Sequence, residues 1–219
     1  MQQPPTIALF TRHPHCSLQC CNGVIKALSP HYSFKLFNEK QCEGTLLDDV
    51  DMVVFPGGIG DSESYHRFFR DKQNSQFITE YVNRGGRYLG ICMGAYWAGQ
   101  EYFNILQNAD AVQYITRPNT DTRRPHPKAI DITWLGNKEK MYFYDGCAIV
   151  GDRSSFDTIA TYANGDPMAV IQNKVGVIGC HPESEEFWYQ INSWMKPHYH
   201  GNRHHNLLLE FVNRLMQQS

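Results

Sequence analysis

The sequence predicts an α/β fold, in which a mostly parallel sheet carries helices on both faces. Four short apolar runs are typical of strands buried on both sides: Thr6–Phe10, Met52–Phe55, Tyr88–Ile91 and Val175–Gly179. Helix-like segments alternate with these runs along the first half of the chain, and such alternation indicates a parallel sheet. After Ala129 the pattern changes to shorter strand-like pieces, which predict a small antiparallel excursion from the sheet.

The signals at the ends of each segment support these assignments. Ser17 suits the N-cap of the first helix, and Gly85-Gly86 ends the second. The predicted helices are Ser17–Leu28, Ser75–Arg84, Gly94–Tyr102, Glu185–Trp194 and Asn206–Met216. The antiparallel pieces, which Gly, Asn and Asp turns join, are Ala129–Leu135, Lys140–Tyr144 and Thr158–Tyr162.

The composition is that of a soluble globular protein and excludes several classes. With 219 residues, 42% of them hydrophobic, the chain is expected to form one α/β domain over residues 1–219. A net charge of -2 argues against a nucleic-acid partner. No apolar run approaches the roughly 18 residues that cross a bilayer, and no signal-peptide pattern is present, so we expect a cytoplasmic protein without membrane contacts. Seven cysteines, an odd number, favour reduced thiols there.

The most informative motif is the pentapeptide GICMG, where an apolar run meets a helix-like segment. Gly90 and Gly94 flank Cys92 with the spacing of a nucleophile elbow, a sharp strand-to-helix turn that presents its central side chain. Glycines suit this turn because its backbone is strained and closely packed. A helix N-terminus beneath the sulfur would favour the thiolate. Taken alone, the pentapeptide fits a buried structural cysteine equally well.

A histidine and a glutamate follow the last apolar run. At the carboxyl end of a strand, His181 could act as a general base, and Glu183 could hold its imidazole in one tautomer. In isolation, this His-Pro-Glu sequence is better explained as a turn in which Glu183 begins a helix. Paired with the elbow, it favours a triad of Cys92, His181 and Glu183.

A Pro-Gly-Gly turn at Pro56–Gly58 follows the buried run Met52–Phe55. Such a turn exposes backbone N–H groups. One of them, together with the N–H of Met93 after the nucleophile, could form an oxyanion hole.

With these three segments in this order, the chain resembles the class I glutamine amidotransferase-like superfamily. More narrowly, it is similar to the amidotransferase-like N-terminal domain of biotin-protein ligases and to stand-alone bacterial relatives of that domain. The resemblance rests on YVNRGGRYLGICMGAYWAG and IATYANGDPMAVIQNKVGVIGCHPESEEFWY, and it extends over most of the chain. It implies a flavodoxin-like three-layer sandwich.

The resemblance also implies roles for individual residues. Cys92 would be the nucleophile, His181 the base and Glu183 its orienting partner, while Gly58 and Met93 match the oxyanion positions. In such enzymes the cysteine attacks a carboxamide, the histidine protonates the departing ammonia, and water then hydrolyses the thioester. The expected substrate is a small-molecule amide, and a partner synthetase or acceptor protein would receive the ammonia.

One position departs from the superfamily. Glutamine-hydrolysing members usually have a Gln four residues after the nucleophile, and this chain has Tyr96 there. Because an aromatic ring cannot reproduce the donor and acceptor of a carboxamide, the substrate is another amide or the chain is a non-catalytic binding or regulatory module. Deglycase and protease relatives of this fold place a His directly after the nucleophile, where this chain has Met93, so they are less favoured.

The remaining candidate residues are expected in the substrate pocket or at the surface. We expect Gly57, Tyr96 and Asp145 to line the pocket. The segment Arg12–Cys21 holds metal-ligand residue types, but their spacing matches no zinc motif, so neither a metal nor a cofactor is predicted and the segment is expected at the pocket edge. The arginines of the loop Thr116–Lys128 are expected to be solvated, with an anion-binding lid as the alternative.

The histidines near the C-terminus form a second polar group. They are His198, His200, His204 and His205. We interpret them as an exposed turn, because histidine-rich surface segments are common and bind metals only incidentally.

Overall fold

A computed structural model describes residues 3–11, 17–58 and 67–219 and contains a nine-stranded sheet and a two-stranded sheet. The strands are β1 (Thr6–Phe10), β2 (Ser33–Phe37), β3 (Met52–Phe55), β4 (Arg87–Ile91), β5 (Ala109–Gln113), β6 (Lys128–Trp134), β7 (Asn137–Phe143), β8 (Cys147–Gly151), β9 (Asp157–Tyr162), β10 (Pro167–Gln172) and β11 (Val175–Ile178). The α-helices that lie wholly within these ranges are α1 (Leu18–Leu28), α2 (Lys72–Asn83), α3 (Met93–Trp97), α4 (Glu186–Gln190) and α5 (Arg203–Met216).

The large sheet has the order β2-β1-β3-β4-β11-β10-β9-β6-β7. Strands β2, β1, β3, β4 and β11 are parallel, and each later neighbour pair is antiparallel. Strands β5 and β8 form the separate antiparallel pair. The predicted α/β fold is confirmed, and the antiparallel strands extend one edge of the same sheet.

The apolar runs form the centre of the sheet because they can be buried on both faces. Every residue of β3 and β11 is buried, and so is every residue of β1 and β4 after the first. Helices α1 and α5 pack against each other, and α5 also contacts β4 and β11. The chain moves in one direction along the sheet from β1 to β2 and in the other direction from β3 to β4. Because crossovers between parallel strands are right-handed, α2 lies on the opposite face from α1.

Several predicted helices have different ends. Helix α2 begins at Lys72, where the Asp71 side chain accepts the N–H of Gln73 as an N-cap, and α5 begins at Arg203. Helix α3 ends at Trp97, before the predicted end at Tyr102. None of the helices in the described ranges is long and apolar enough to cross a bilayer.

The loop Thr116–Lys128 is held against the antiparallel strands. The Arg117 guanidinium donates to both carboxylate oxygens of Asp166, at 2.8 and 3.2 Å, and Tyr114 Oη donates to Asp121 at 2.9 Å. The expectation that its arginines are solvated is therefore wrong for Arg117. A bidentate guanidinium–carboxylate pair fixes the start of the loop.

Candidate active site

The predicted segments meet at the carboxyl edge of the parallel strands. Pro56–Gly58 follows β3, Cys92 follows β4, and His181 lies just beyond β11. Strand β4 is hydrogen-bonded to β3 on one side and to β11 on the other. The cysteine therefore lies between the glycine turn and the histidine, at the edge where open α/β sheets bind ligands.

Cys92 occupies a sharp turn between β4 and α3. Its backbone has φ +48° and ψ −101°, a conformation that residues other than glycine rarely adopt. Its N–H donates to the Ile178 carbonyl at 2.8 Å. The thiol donates to the Tyr144 carbonyl at 3.6 Å, and 7% of the residue is exposed. Strand, strained turn and helix occur in the order that a nucleophile elbow requires.

The two glycines of the motif are required by close packing. A Cβ on Gly90 would collide with the Gly94 carbonyl, and a Cβ on Gly94 would collide with the Phe55 carbonyl of β3. The sequence spacing thus reflects how tightly the turn packs against the neighbouring strand.

His181 and Glu183 form a buried pair. Nδ1 of His181 lies 2.8 Å from Oε1 of Glu183, and the two residues are 4% and 0% exposed. The carboxylate therefore holds the imidazole with its proton on Nδ1, a tautomer inferred from this hydrogen bond. The second carboxylate oxygen, Oε2, is buried and has no hydrogen-bond partner among the described residues.

The electrostatics of His181 depend on three neighbours. Burial by itself lowers the pKa of His181, but the charge of the Glu183 carboxylate and the nearby thiols of Cys92 and Cys20 together raise this pKa well above its ordinary value. The imidazole can consequently hold a proton at neutral pH and stabilise a thiolate beside it.

Cys20 is the residue at this site to which sequence reasoning assigned no specific role. It lies on α1, is 4% exposed, and its sulfur lies within 4.8 Å of a ring nitrogen of His181. Burial raises the pKa of Cys20 to about 12, although His181 acts in the opposite direction. Its place in the segment predicted at the pocket edge was the available signal. Of the other metal-ligand types in that segment, His13, His15 and Cys16 lie outside the described residues.

The two predicted oxyanion donors follow two neighbouring strands, Met93 after β4 and Gly58 after β3. Met93 begins α3, where backbone N–H groups have no partner within the helix, and Gly58 is half-buried in the turn after β3. Gly57 lies against the histidine: a Cβ there would be 2.6 Å from His181 Cε1 and 2.8 Å from Cys20 Sγ. Its lack of a side chain leaves room for both groups.

Tyr96 and Asp145 are joined by a hydrogen bond. The half-buried Tyr96 donates its hydroxyl to the Asp145 carbonyl at 3.0 Å, and Gln113 Nε2 lies 2.8 and 2.9 Å from the two carboxylate oxygens of Asp145. Burial raises the pKa of Asp145, while the hydrogen bond from Gln113 opposes this. Because Tyr144 accepts the Cys92 thiol hydrogen bond, this turn adjoins the nucleophile. Sequence reasoning did not identify Gln113.

Three of the C-terminal histidines are buried next to the Glu183 segment, so the expectation of an exposed turn is wrong for them. His200, His204 and His205 are 9%, 0% and 6% exposed. His205 Nε2 lies 3.2 Å from the carbonyls of both Glu183 and Ser184, and His200 Nε2 lies 3.1 Å from the Ser184 carbonyl. His200 and His205 thus donate to buried carbonyls, whereas Nε2 of His204 lies 3.1 Å from Oε2 of Glu139.

The fold defines a class: the chain shares the fold of solved glutamine amidotransferases. A glutamine amidotransferase from Thermotoga maritima superimposes with a TM-score of 0.68 at 13% identity, covering 99% of this chain and 100% of that one. One from Methylobacillus flagellatus superimposes with a TM-score of 0.61 at 10% identity, covering 99% and 96%. At such low sequence identities the likeness shows that the fold is shared, and it shows no more than that.

The comparison of the sequence with family models points to a smaller group of proteins than the fold does. Residues 12–113 match the family model described as biotin-protein ligase, N terminal. No curated protein sequence matches the chain. The resemblance stated from the sequence is confirmed in two respects: the chain has the fold of solved glutamine amidotransferases, and residues 12–113 match the model of the ligase N-terminal domain.

Proposed function

We propose that the chain is a cysteine-dependent, amidotransferase-like amide hydrolase that acts on a small-molecule amide through a thioester at Cys92. One observation carries the proposal: Glu183 orients the buried His181 imidazole at 2.8 Å, and this imidazole is close enough to Cys92 for the thiol to raise its pKa. The nucleophile, base and orienting group of the proposed reaction are thus connected. The glutamine amidotransferases that share this fold give it further support.

The reaction proceeds in two halves. In the first, the Cys92 thiolate attacks the amide carbonyl, and the N–H groups of Gly58 and Met93 stabilise the tetrahedral oxyanion. His181 gives its proton to the departing nitrogen and the carbon–nitrogen bond breaks. Ammonia departs, and the acyl group remains on Cys92 as a thioester. In the second, His181 takes a proton from water, the hydroxide attacks the thioester, and the carboxylic acid and free thiol are released. A partner synthetase or acceptor protein would receive the ammonia.

The alternative is a non-catalytic binding or regulatory module. It is favoured by Tyr96, which occupies the position of the substrate-holding Gln and whose hydroxyl is engaged with the Asp145 carbonyl. Such a module would keep the fold and the pocket. A bound ligand would stabilise the protein against unfolding and would be recovered with its mass unchanged, because no reaction takes place.

Cysteine reactivity separates the two hypotheses. Each cysteine is alkylated with iodoacetamide across a pH series and quantified by peptide mass spectrometry, in the wild type and in His181→Ala. Cys92 lies alone on the tryptic peptide that begins at Tyr88, so its rate is measured independently of the other six. His198→Ala, which alters a half-buried histidine outside the triad, is the matched control.

The proposed hydrolase predicts that Cys92 reacts fastest at neutral pH and that His181→Ala removes this advantage while His198→Ala preserves it. A Cys92 that reacts no faster than the other cysteines in the wild type would contradict the hydrolase and support the binding module. A positive result would be followed by an amide screen in which the acyl-enzyme is trapped and detected as a mass increase on the Cys92 peptide.

A further inference from the structure

We propose that Cys20, His181 and Glu183 form a binding site for a thiophilic divalent cation such as Zn²⁺, and that a bound cation blocks the reaction proposed for Cys92. The binding site stands on the geometry alone, whereas its inhibitory effect rests on the proposed function. The site is built from three segments: helix α1, the residues that follow β11, and the glycine turn after β3.

The geometry of the potential ligands is the first argument. The sulfur of Cys20, a ring nitrogen of His181 and a carboxylate oxygen of Glu183 all lie within 4.8 Å of one another. Bond lengths of about 2.0–2.3 Å place the ligand atoms of a tetrahedral zinc site about 3.5 Å apart. Small side-chain movements would therefore close the cluster around an ion.

An unsatisfied acceptor is the second argument. Oε2 of Glu183 is fully buried and has no hydrogen-bond partner among the described residues, although its sister oxygen binds His181. A buried carboxylate oxygen without a donor is unfavourable unless a cation or a donor satisfies it. Thiolate, imidazole and carboxylate are also the three ligand types that zinc prefers in proteins.

Space for the cluster comes from Gly57. A side chain at this position would collide with both the His181 ring and the Cys20 sulfur, at 2.6 and 2.8 Å. Helix α1 also fits closely against the pair, because a Cβ on Gly23, one turn after Cys20, would collide with the Glu183 carbonyl. The thiol is therefore held beside the triad by two glycine contacts.

A cation bound here would compete with catalysis. Its binding releases the Cys20 thiol proton, together with any proton on the ligating ring nitrogen. His181 could then no longer carry a proton between Cys92 and the leaving group, and Glu183 could no longer orient the ring.

Cobalt spectroscopy tests the site without any measurement of turnover. The reduced, chelator-treated full chain is titrated with Co²⁺, which reports a thiolate ligand by a charge-transfer absorption in the near ultraviolet, and Zn²⁺ is then added to displace it. The variants are Cys20→Ala, Cys92→Ala and the matched control Cys21→Ala, whose thiol points away to the Phe10 carbonyl at 3.5 Å.

The charge-transfer band is expected in the wild type, in Cys21→Ala and in Cys92→Ala. In Cys20→Ala the affinity should fall by roughly 100-fold or more, because loss of even an outer-shell partner typically costs 10–100-fold. A wild type without the band, or a Cys20→Ala variant that binds like the wild type, overturns the proposal. Binding that depends on Cys92 and not on Cys20 overturns it too. If Cys20→Ala does not melt cooperatively, Cys20→Ser replaces it.

A second measurement separates this proposal from the proposed function. Zn²⁺ should protect Cys92 from iodoacetamide in the wild type and fail to do so in Cys20→Ala. If the amide screen finds no turnover while the cobalt band still requires Cys20, the hydrolase fails and the metal site stands. If turnover is found but the wild type shows no band, the metal site fails and the hydrolase stands.

Discussion

Nδ1 of His181 lies 2.8 Å from Oε1 of Glu183, and both side chains are buried at the carboxyl edge of the sheet. This contact connects the end of β11 to the turn that precedes α4. The Glu183 backbone is held in turn by His205, whose ring donates to its carbonyl. The orienting carboxylate is thus itself supported by the start of α5.

Glu183→Gln should slow the alkylation of Cys92 about 10-fold or more at neutral pH. The amide oxygen can still accept the Nδ1 proton, but the negative charge that raises the pKa of His181 is lost, so the protonated imidazole becomes less populated. The pH profile of the Cys92 alkylation rate, measured by peptide mass spectrometry, should consequently move to higher pH.

Glu185→Gln is the control, because Glu185 forms an ion pair with the exposed Lys26 at 2.9 Å and lies two residues further on. It should leave the alkylation profile of Cys92 unchanged. Equal profiles for Glu183→Gln and the wild type would show that the buried carboxylate does not tune the histidine.

Gly94→Ala should lower the free energy of unfolding by about 3 kcal/mol, since the added methyl group collides with the Phe55 backbone, which cannot move independently of β3. Gly136→Ala has open space around the new methyl group but a φ of +84°, so it should lose only about 1 kcal/mol. Urea denaturation followed by circular dichroism measures both. A Gly94→Ala variant as stable as Gly136→Ala would mean that the elbow is less tightly packed.

His200 should make the protein sensitive to acid. Burial, with help from the nearby His204 and His205, lowers the pKa of His200 from 6.5 to about 3. The ring is neutral: Nδ1 accepts the His204 N–H at 3.2 Å, and Nε2 donates to the Ser184 carbonyl at 3.1 Å. Because the folded pKa is depressed, the unfolded chain binds more protons between pH 6.5 and 3.

Stability should therefore fall as the pH drops below 6.5, and this one histidine contributes up to about 1.4 kcal/mol per pH unit. His200→Asn should reduce that slope when urea denaturation is repeated from pH 7 to pH 4. His126→Asn, in an exposed loop, is the control. An unchanged slope in His200→Asn would assign the acid sensitivity to other groups.

Asp145→Asn should stabilise the protein at neutral pH. Burial raises the pKa of Asp145 above 3.8, so the folded protein holds this proton more tightly than the unfolded chain, and the contribution of Asp145 to stability decreases as the pH rises through the folded pKa. Asparagine removes the charge and tolerates the observed φ of +53°.

Thermal melting at pH 7 and at pH 4 measures this effect: the gain over the wild type should be larger at pH 7. The exposed Asp131→Asn, which removes a surface ion pair with Lys140, is the matched control and should show no such difference. A gain that is the same at both pH values would show that the charge of Asp145 is not the cause.

The elements that could be predicted are those with a distinctive local pattern. The runs that form β1 and β3 were predicted with the observed ends, because continuous apolar residues bounded by turn signals need both faces buried. Strand β2 was missed because it lies at the edge of the sheet and only its last residue is buried. Strand β10 was missed although all its residues are buried, since it begins with a proline that favours a turn.

The sequence by itself determined the fold class and the positions of Cys92, His181 and Glu183, because strand burial, glycine turns and helix ends follow from interactions between near neighbours in the chain. Only the tertiary structure decided which distant groups meet. It placed the sulfur of Cys20 within 4.8 Å of a ring nitrogen of His181, and it buried His200, His204 and His205, which the sequence indicated as exposed. Such contacts depend on strand order and helix packing, and no local pattern encodes the distance between a residue on α1 and one beyond β11.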